Sequence, residues 1–472
     1  MTTTCHIDGT APFEQLLDQG RIEDFLARVT VAGKPDDAAH FPEVLSDVAE
    51  LRLRPGAPVL VAMPNGRELL TLVFALLATG AVPTLVPPSA PVSRIAETAR
   101  RFGAGALIAP RVAAHAYGAH RTRTLGSFAE AVTLPALAPH HCRRGEVIIL
   151  TSGTSGLFTG CRHGMDSLLL NARRHAAATE LRETDTILVN LPLHYSYALV
   201  AQAFAALVRG SRLVVSGPPF THRSYRAEIE EHAVTVSSLT PTLVSALSRD
   251  GGLALPCPLR TLTVGGDALD SAYVERLLAA NPGLELYVTY GLTEAGPRVA
   301  TLAAHREPAH RHASVGLPLP GVRTWLRKQA PDDSCGELIV ETDTALRGRV
   351  GTGDGPAPAP GGRIATGDLF EEDEGYLYFR GRLAEFIVVR GEKVSLRSVR
   401  KTVESLPGVV RANTRVYRND DGELRFDLEV YLHDPDSLRP DEIRRRLNDR
   451  LLRGERPSGI AIYPVPETGW HK

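Results

Sequence analysis

The sequence predicts an α/β protein built on layers of parallel sheet, and three observations predict it. A helix–glycine–strand pattern recurs at residues 69–86, 199–215 and 273–288, with Gly80, Gly210 and Gly283 as the breaks. The apolar run Val147-Ile148-Ile149-Leu150 has the length and composition of a buried strand. At 472 residues the chain is long enough for more than one domain and a large core.

Residues 69–86 run eighteen positions without a charge, which meets the lower limit for a membrane span. Gly80 and Pro83 divide that run into a helix of about eleven residues and a short strand. In the third unit Pro282 stands beside Gly283. Buried helices packed on a parallel sheet account for all three units better than lipid does. A net charge of −1 gives no electrostatic attraction to nucleic acid or to an anionic membrane. The five cysteines (5, 142, 161, 257 and 335) are scattered, odd in number and without CxxC spacing. This argues against a disulfide framework or a zinc site and predicts a reducing, cytoplasmic setting. The first eight residues carry polar and acidic groups and no apolar signal core.

After the apolar run comes Thr151-Ser152-Gly153-Thr154-Ser155-Gly156, which has the composition of a phosphate cradle. Its two glycines let the backbone turn amides inward, and its four hydroxyls can donate to phosphate oxygens. A polar hairpin or βα loop is the plainer alternative. It is not a Walker loop: Leu157-Phe158-Thr159 follow Gly156, and no lysine lies between Lys34 and Lys328. Downstream, Tyr290-Gly291-Leu292-Thr293-Glu294 offers an aromatic face, a hydroxyl and a carboxylate within five residues. Such a set suits a stacked base, an α-phosphate and Mg²⁺. Thr366-Gly367-Asp368 places an acceptor-only carboxylate after a glycine turn, suited to two ribose hydroxyls. Gly381-Arg382 then opens a stretch that ends in Gly391-Glu392-Lys393-Val394.

With these runs in order, the chain resembles the adenylate-forming superfamily: acyl-CoA synthetases, adenylation domains of nonribosomal peptide synthetases, and luciferases. Further matching runs are Pro64-Asn65-Gly66, Gly80-Ala81-Val82-Pro83, Pro192-Leu193-His194-Tyr195-Ser196-Tyr197 and Gly265-Gly266-Asp267-Ala268-Leu269. Ser314-Val315-Gly316-Leu317-Pro318 and Gly336-Glu337-Leu338 complete the series, which spans residues 55–472. The resemblance implies a large N-terminal domain of parallel-sheet α/β layers, residues 1–380, and a small mobile α+β C-terminal lid, residues 381–472. The lid stretch alternates strands and helices, including a basic helix over 441–452, and Gly/Pro-rich residues 346–362 read as a surface loop.

The resemblance also implies an ATP-dependent ligase that converts a small carboxylic acid to acyl-AMP and pyrophosphate, with Mg²⁺. The acyl group then passes to a thiol, either coenzyme A or the phosphopantetheine of an acyl or peptidyl carrier protein. Residues 151–156 would hold the phosphates, Gly265, Gly266, Asp267 and Ala268 would form the adenine-site loop, and Tyr290 would stack on adenine. Gly291 would lie between nucleotide and acid, Thr293 would touch the α-phosphate and Glu294 would ligate Mg²⁺. Asp368 would bind the ribose with Arg382 nearby. His194, Tyr195 and Ser196 would wall the acid pocket. Lys472, in register with a terminal motif through Pro466 and Thr468, would neutralise charge as carboxylate attacks phosphorus. A solvated terminal residue is the alternative for Lys472.

Departures from the family pattern leave alternatives open. Phe158-Thr159-Gly160 stands where a loop lysine is usual, and Arg162 is either its substitute or a solvated arginine. Ala384 and Val388 replace usual charged residues at the hinge. No aspartate follows an aromatic near residues 194–197, which disfavours an ordinary α-amino acid as substrate. His194 also fits a hydrogen-bonded core histidine, and Asp267 a turn former. His305, His310 and His312, flanked by Arg306, Pro308 and Arg311, read as a solvated loop rather than a metal site. Forty-eight arginines against five lysines and the standalone length suit a bacterial biosynthetic pathway. An amide-forming or nitrite-activating relative, or a non-catalytic nucleotide-binding homologue, fits the same motifs.

Overall fold

The computed structural model describes residues 17–34, 40–119, 121–135, 142–152, 158–217, 220–250, 252–351, 361–389, 392–419, 424–448, 450–451 and 455–465. The chain divides into two compact units. The first comprises Met1–Trp325, Ile339–Thr366 and Glu372–Tyr378; the second comprises Leu326–Leu338, Gly367–Glu371 and Phe379–Lys472.

Site-bearing elements take labels in chain order: β1 (Glu146–Ser152), β2 (Phe158–Gly164), α1 (Met165–Ala178), β3 (Thr261–Gly265), β4 (Glu285–Gly291), β5 (Arg298–Ala303), β6 (Gly348–Val350), β7 (Arg363–Asp373) and β8 (Tyr376–Arg382). Among the described residues, the first unit holds two eight-stranded sheets. In one, Val29–Val31, Arg212–Val215, Thr186–Val189, Val236–Leu239, β3 and β4 lie side by side and parallel, and β5 returns antiparallel to β4. In the other, Ala106–Ala109, Pro58–Val61, Val82–Leu85 and β1 are parallel, β2 returns antiparallel to β1, and β6 adds to the far edge of β2.

The parallel strands are apolar on both faces because helices cover them. Val59, Ile108 and Ile149 of one sheet share a core with Ile187, Val189 and Val215 of the other, through Leu70, Phe74, Leu168, Leu199 and Phe204 of the helices. The three recurring units appear where the sequence predicts them. Arg67–Ala78 is a buried helix, Gly80 turns the chain at φ +84°, and Val82–Leu85 is a strand. Pro83 lies inside that strand rather than at its boundary. There it faces Val59 on one side, and pairing with β1 on the other begins only at Thr84, so no second ladder needs an amide from it. The second unit starts as a π-helix, Tyr197–Phe204, continues as α-helix Ala205–Arg209, and ends at Gly210 with φ +77°. π-Helical turns concentrate at functional sites. The third is Ser271–Ala280 followed by β4. Among the described residues no helix is long and apolar enough to cross a membrane.

Part of the segment expected as a loop, 346–362, is strand β6, in register with β2 at Gly348↔Arg162, Arg349↔Cys161 and Val350↔Gly160. Three residues carry no hydrophobic period, so only the ladder to β2 reveals this strand. The second unit has its own core, in which Val399 and Val403 of helix Leu396–Glu404 pack with Phe426, Leu428 and Val430 of strand Leu424–Leu432 and Ile443 of helix Pro440–Asn448. The described basic helix is thus Pro440–Asn448, shorter than expected from 441–452.

Two buried histidines bear on stability. Burial pushes His163 of β2 down to about 4 and His175 of α1 down to about 3, so both are neutral at pH 7. A folded-state value depressed below the unfolded 6.5 gives stability that is present above pH 6.5 and lost as pH falls toward 4. Denaturant unfolding is therefore expected to lose roughly 2 kcal/mol per histidine between pH 7 and pH 5. A His163→Gln/His175→Gln variant should flatten that dependence; an unchanged slope would place the proton uptake elsewhere.

Candidate active site

The phosphate-loop sequence connects β1 to β2, so it closes a β-hairpin rather than opening a helix. Glu146 pairs with Gly164 and Ser152 with Phe158 across the stem. Thr151 and Thr159 face each other, and the Thr151 hydroxyl donates to the Thr159 carbonyl at 3.4 Å. Gly153, Thr154, Ser155 and Gly156 lie outside the described residues, as does Lys472, and for Ser152 only the strand backbone is described. Thr159 is a stem residue and brings no charge.

Arg162 is not a solvated residue. Its guanidinium lies 3.4 Å from the buried carboxylate of Glu146, which also accepts from the Arg143 amide at 2.8 Å. A carboxylate buried at the base of β1 needs that countercharge. The cation missed by the sequence reading is Arg349 of β6. Its register opposite Cys161 carries it beside Glu294, with Nη2 3.1 Å from Oε1. The only sequence signal was an arginine within a Gly-rich stretch.

The Tyr290–Glu294 run sits on the turn between β4 and β5. At Gly291 a Cβ would lie 2.2 Å from the Pro297 carbonyl oxygen, the same oxygen that accepts from the Leu292 amide at 3.0 Å. Glycine is therefore required at this crossing. A bulge between Tyr290 and Gly291 shifts the register and leaves Tyr290 half-buried at the end of β4. Beyond it, Thr293, Glu294 and Ala295 form a 3₁₀ turn held from behind. The Thr344 hydroxyl donates to the Ala295 carbonyl at 2.7 Å, and the Leu346 amide to the Glu294 carbonyl at 2.8 Å.

Residues predicted far apart in sequence meet here. The hydroxyls of Ser196 and Thr293 are 3.0 Å apart, which joins the predicted acid-pocket wall to the predicted α-phosphate contact. Asn65, from the Pro64-Asn65-Gly66 run, fixes that wall: its Oδ1 accepts from the Leu193 amide at 2.8 Å and its Nδ2 donates to the Leu191 carbonyl at 2.9 Å. His194 lies 4.3 Å from the ring of exposed Tyr195, and burial pushes its imidazole down to about 4. It is thus neutral at pH 7 and not a cation.

The Gly265–Ala268 loop leaves the end of β3 close by. A Cβ at Gly265 would lie 2.4 Å from the Thr289 hydroxyl, and Gly266 turns the chain at φ +91° beside Tyr197. Asp267 is exposed, with Oδ1 accepting from the Ala268 amide at 2.8 Å. In the second unit, Asp368 of β7 is buried and Arg382 of β8 brings its Nε to 3.3 Å from the carboxylate. Gly367 turns at φ +71° with its amide donating to Glu337 at 3.0 Å.

The histidines at 305–312 are not a solvated set. His312 is buried with Nε2 near the Ala304 and Glu307 carbonyls, and His305 contacts the Leu286 carbonyl, while His310 is exposed. These contacts clamp two short 3₁₀ turns. Among the described residues, no group of three or more His, Cys, Asp or Glu side chains is placed to hold a metal ion.

Glu294 nevertheless fits a hard-cation ligand in kind, since it is a carboxylate next to a hydroxyl-bearing turn and already faces positive charge.

Known proteins resemble this chain in sequence and in fold. The sulfoacetate–CoA ligase of Cupriavidus necator is 27% identical over 274 residues, covering 56% of this chain and 53% of that protein. The chain thus spans about half the length of that relative. A 4-coumarate–CoA ligase-like protein of Oryza sativa is 28% identical over 424 residues, covering 79% of this chain and 69% of its own. The fold matches the o-succinylbenzoate CoA synthetase of Bacillus subtilis, solved with its acyl-adenylate intermediate, with a TM-score of 0.77 at 19% identity over 93% of this chain and 94% of that one. Residues 48–348, more than half of the chain, match the family described as AMP-binding enzyme, and the chain belongs to that family.

Proposed function

We propose that this protein is an ATP-dependent ligase that activates a small carboxylic acid as its acyl adenylate and passes the acyl group to a thiol. The observation that carries the reading is the 3.0 Å contact between Ser196, proposed for the acid-pocket wall, and Thr293, proposed for the α-phosphate contact. Family membership supports the same chemistry.

The reaction needs in-line attack of a carboxylate oxygen on the α-phosphorus, with the bond to pyrophosphate breaking. Catalysis of such a step is mainly positioning and charge stabilisation. The Thr293 hydroxyl donates to the α-phosphate and Tyr290 offers its ring to adenine. Thr151 to Gly156 receive the phosphates, with Gly265 to Ala268 beside the adenine. Asp368 accepts from the ribose hydroxyls, steadied by Arg382. Glu294 would hold Mg²⁺, which supplies positive charge to the departing phosphates. Lys472 meets the charge on the attacking carboxylate. Residues 381–472 act as the moving lid that delivers it, and the large domain is residues 1–380. The thiol of coenzyme A or of a carrier protein then attacks the acyl carbonyl and releases AMP. The missing charge at Thr159 leaves a second acceptor open, an amine in place of a thiol.

Exchange of labelled pyrophosphate into ATP across a panel of acids tests the reading. Acid-dependent exchange is expected. Nucleotide binding without exchange would make the protein a non-catalytic member of its family. Product mass with thiol or amine present distinguishes the acceptors.

Two variants test the roles. Asp368→Ala should weaken ATP binding by about 1.5–3 kcal/mol, the worth of charge-assisted hydrogen bonds, while leaving acid affinity alone. Unchanged ATP affinity in calorimetry would remove Asp368 from the ribose. Lys472→Ala should slow adenylation by about 10²–10³ and spare thiol transfer from supplied acyl-AMP. Equal losses in both half-reactions would contradict a role confined to the first.

A further inference from the structure

Arg298 opens β5 directly across from Gly291, in register with it. It is 3% exposed. Its backbone is held on both sides by Asn171, which accepts from the Arg298 amide at 2.9 Å and donates to its carbonyl at 3.0 Å. The side chain lies over the ring of Tyr197, with the guanidinium carbon 4.2 Å from the centroid. Nη1 donates to the Thr289 hydroxyl at 2.8 Å, and Nε has no hydrogen-bond partner. Among the described residues, no carboxylate lies within ion-pair distance of it.

This is an unusual state for a guanidinium. Arginine stays protonated in proteins, so it cannot escape burial by giving up its proton. A buried charge is ordinarily paired, because removal from water is expensive and a neutral hydroxyl returns only part of it. Buried carboxylates elsewhere in the described residues are met by arginines: Arg162 has Glu146 and Arg260 has Asp185. Arg298 has an aromatic face and a threonine. Burial accordingly lowers the guanidinium below its ordinary value.

The surroundings point toward the acid pocket. Tyr197 under the guanidinium follows directly on the proposed His194–Ser196 wall, and its hydroxyl lies 2.9 Å from that of Thr263. A Cβ at Gly265 would lie 3.2 Å from Nη1, so the guanidinium sits against the start of the Gly265–Ala268 loop. Thr293, in contact with Ser196 of the same wall, is five residues before Arg298.

We propose that Arg298 is the counter-ion for a second anionic group on the acid this protein activates, so that the substrate class is acids carrying a further carboxylate or sulfonate. The inference rests on the acid-activating reading given above. The reacting carboxylate meets Thr293 and the nucleotide, while the second anion reaches past the Ser196–Tyr197 wall to Nε and the remaining guanidinium hydrogens. The protein thereby carries an uncompensated charge when empty and gains its partner on binding.

The test compares acid-dependent pyrophosphate exchange in the full-length protein and in Arg298→Met, using dicarboxylic and sulfocarboxylic acids beside isosteres with an amide or methyl group in place of the second anion. The natural protein should favour the dianionic acids by about 100-fold in kcat/KM, as expected when a buried ion pair is completed or left half-made. Arg298→Met should lose that preference while keeping or gaining activity on the isosteres, and Arg298→Lys should retain part of it. Thermal unfolding gives a second readout. Without substrate, Arg298→Met should be at least as stable as the natural protein, and only the natural protein should gain stability from a dianionic acid. Exchange confined to monoanionic acids, or a preference unchanged in Arg298→Met, would overturn the assignment and leave the ligase reading intact. A variant destabilised without substrate would mark Arg298 as a structural partner of Tyr197 and also overturn it. Exchange with no acid at all would overturn the ligase reading and this inference with it.

Discussion

The close crossing of Gly291 and Pro297 is the constraint on which the rest of the site depends. It lets β4 and β5 meet with no side chain between them, which places a three-residue turn at the mouth of the sheet. From that turn Thr293 reaches Ser196 and Glu294 reaches Arg349. From the strand beyond it Arg298 reaches Tyr197 and Thr289. Asn171 and Thr344 hold the far side through main-chain atoms, so the turn is rigid without any contribution from a ligand. Any residue with a Cβ at 291 would force these contacts apart together.

Among the described residues three arginines carry positive charge around the site, and each is committed differently. Arg162 neutralises Glu146 inside the β1–β2 stem. Arg349 faces Glu294 from an edge strand, so that a carboxylate suited to a divalent cation has a cation beside it already. Among the described residues, no carboxylate lies within ion-pair distance of Arg298. A guanidinium cannot deprotonate, so these three commitments persist at any physiological pH. His194 and His163, by contrast, are neutral at pH 7 because burial holds them there.

The sequence was most legible where local pattern and backbone chemistry agree. The helix–glycine–strand units are visible because a buried parallel strand must be apolar on both faces and a left-handed helix end favours glycine. The Tyr290–Glu294 run stands out by its residue types, and the structure places it on the turn between β4 and β5. Long-range partners were not legible. Nothing local tells that Asn65 fixes a loop more than a hundred residues away, or that Arg162 belongs to Glu146. Strand β6 was missed because three residues carry no period, and with it went Arg349, which only the ladder to β2 brings to the site. The π-helical start at Tyr197 was hidden for a related reason, because an apolar run wound with an extra residue per turn looks like any buried helix.

The central claim is that the β4–β5 turn is the nucleotide contact of this protein. A crystal structure with AMP bound tests it most directly. The account predicts the adenine ring against Tyr290 and a phosphate oxygen within hydrogen-bond distance of the Thr293 hydroxyl, with Arg298 untouched by the nucleotide. AMP bound away from this turn, or a phosphate paired with Arg298, would contradict it.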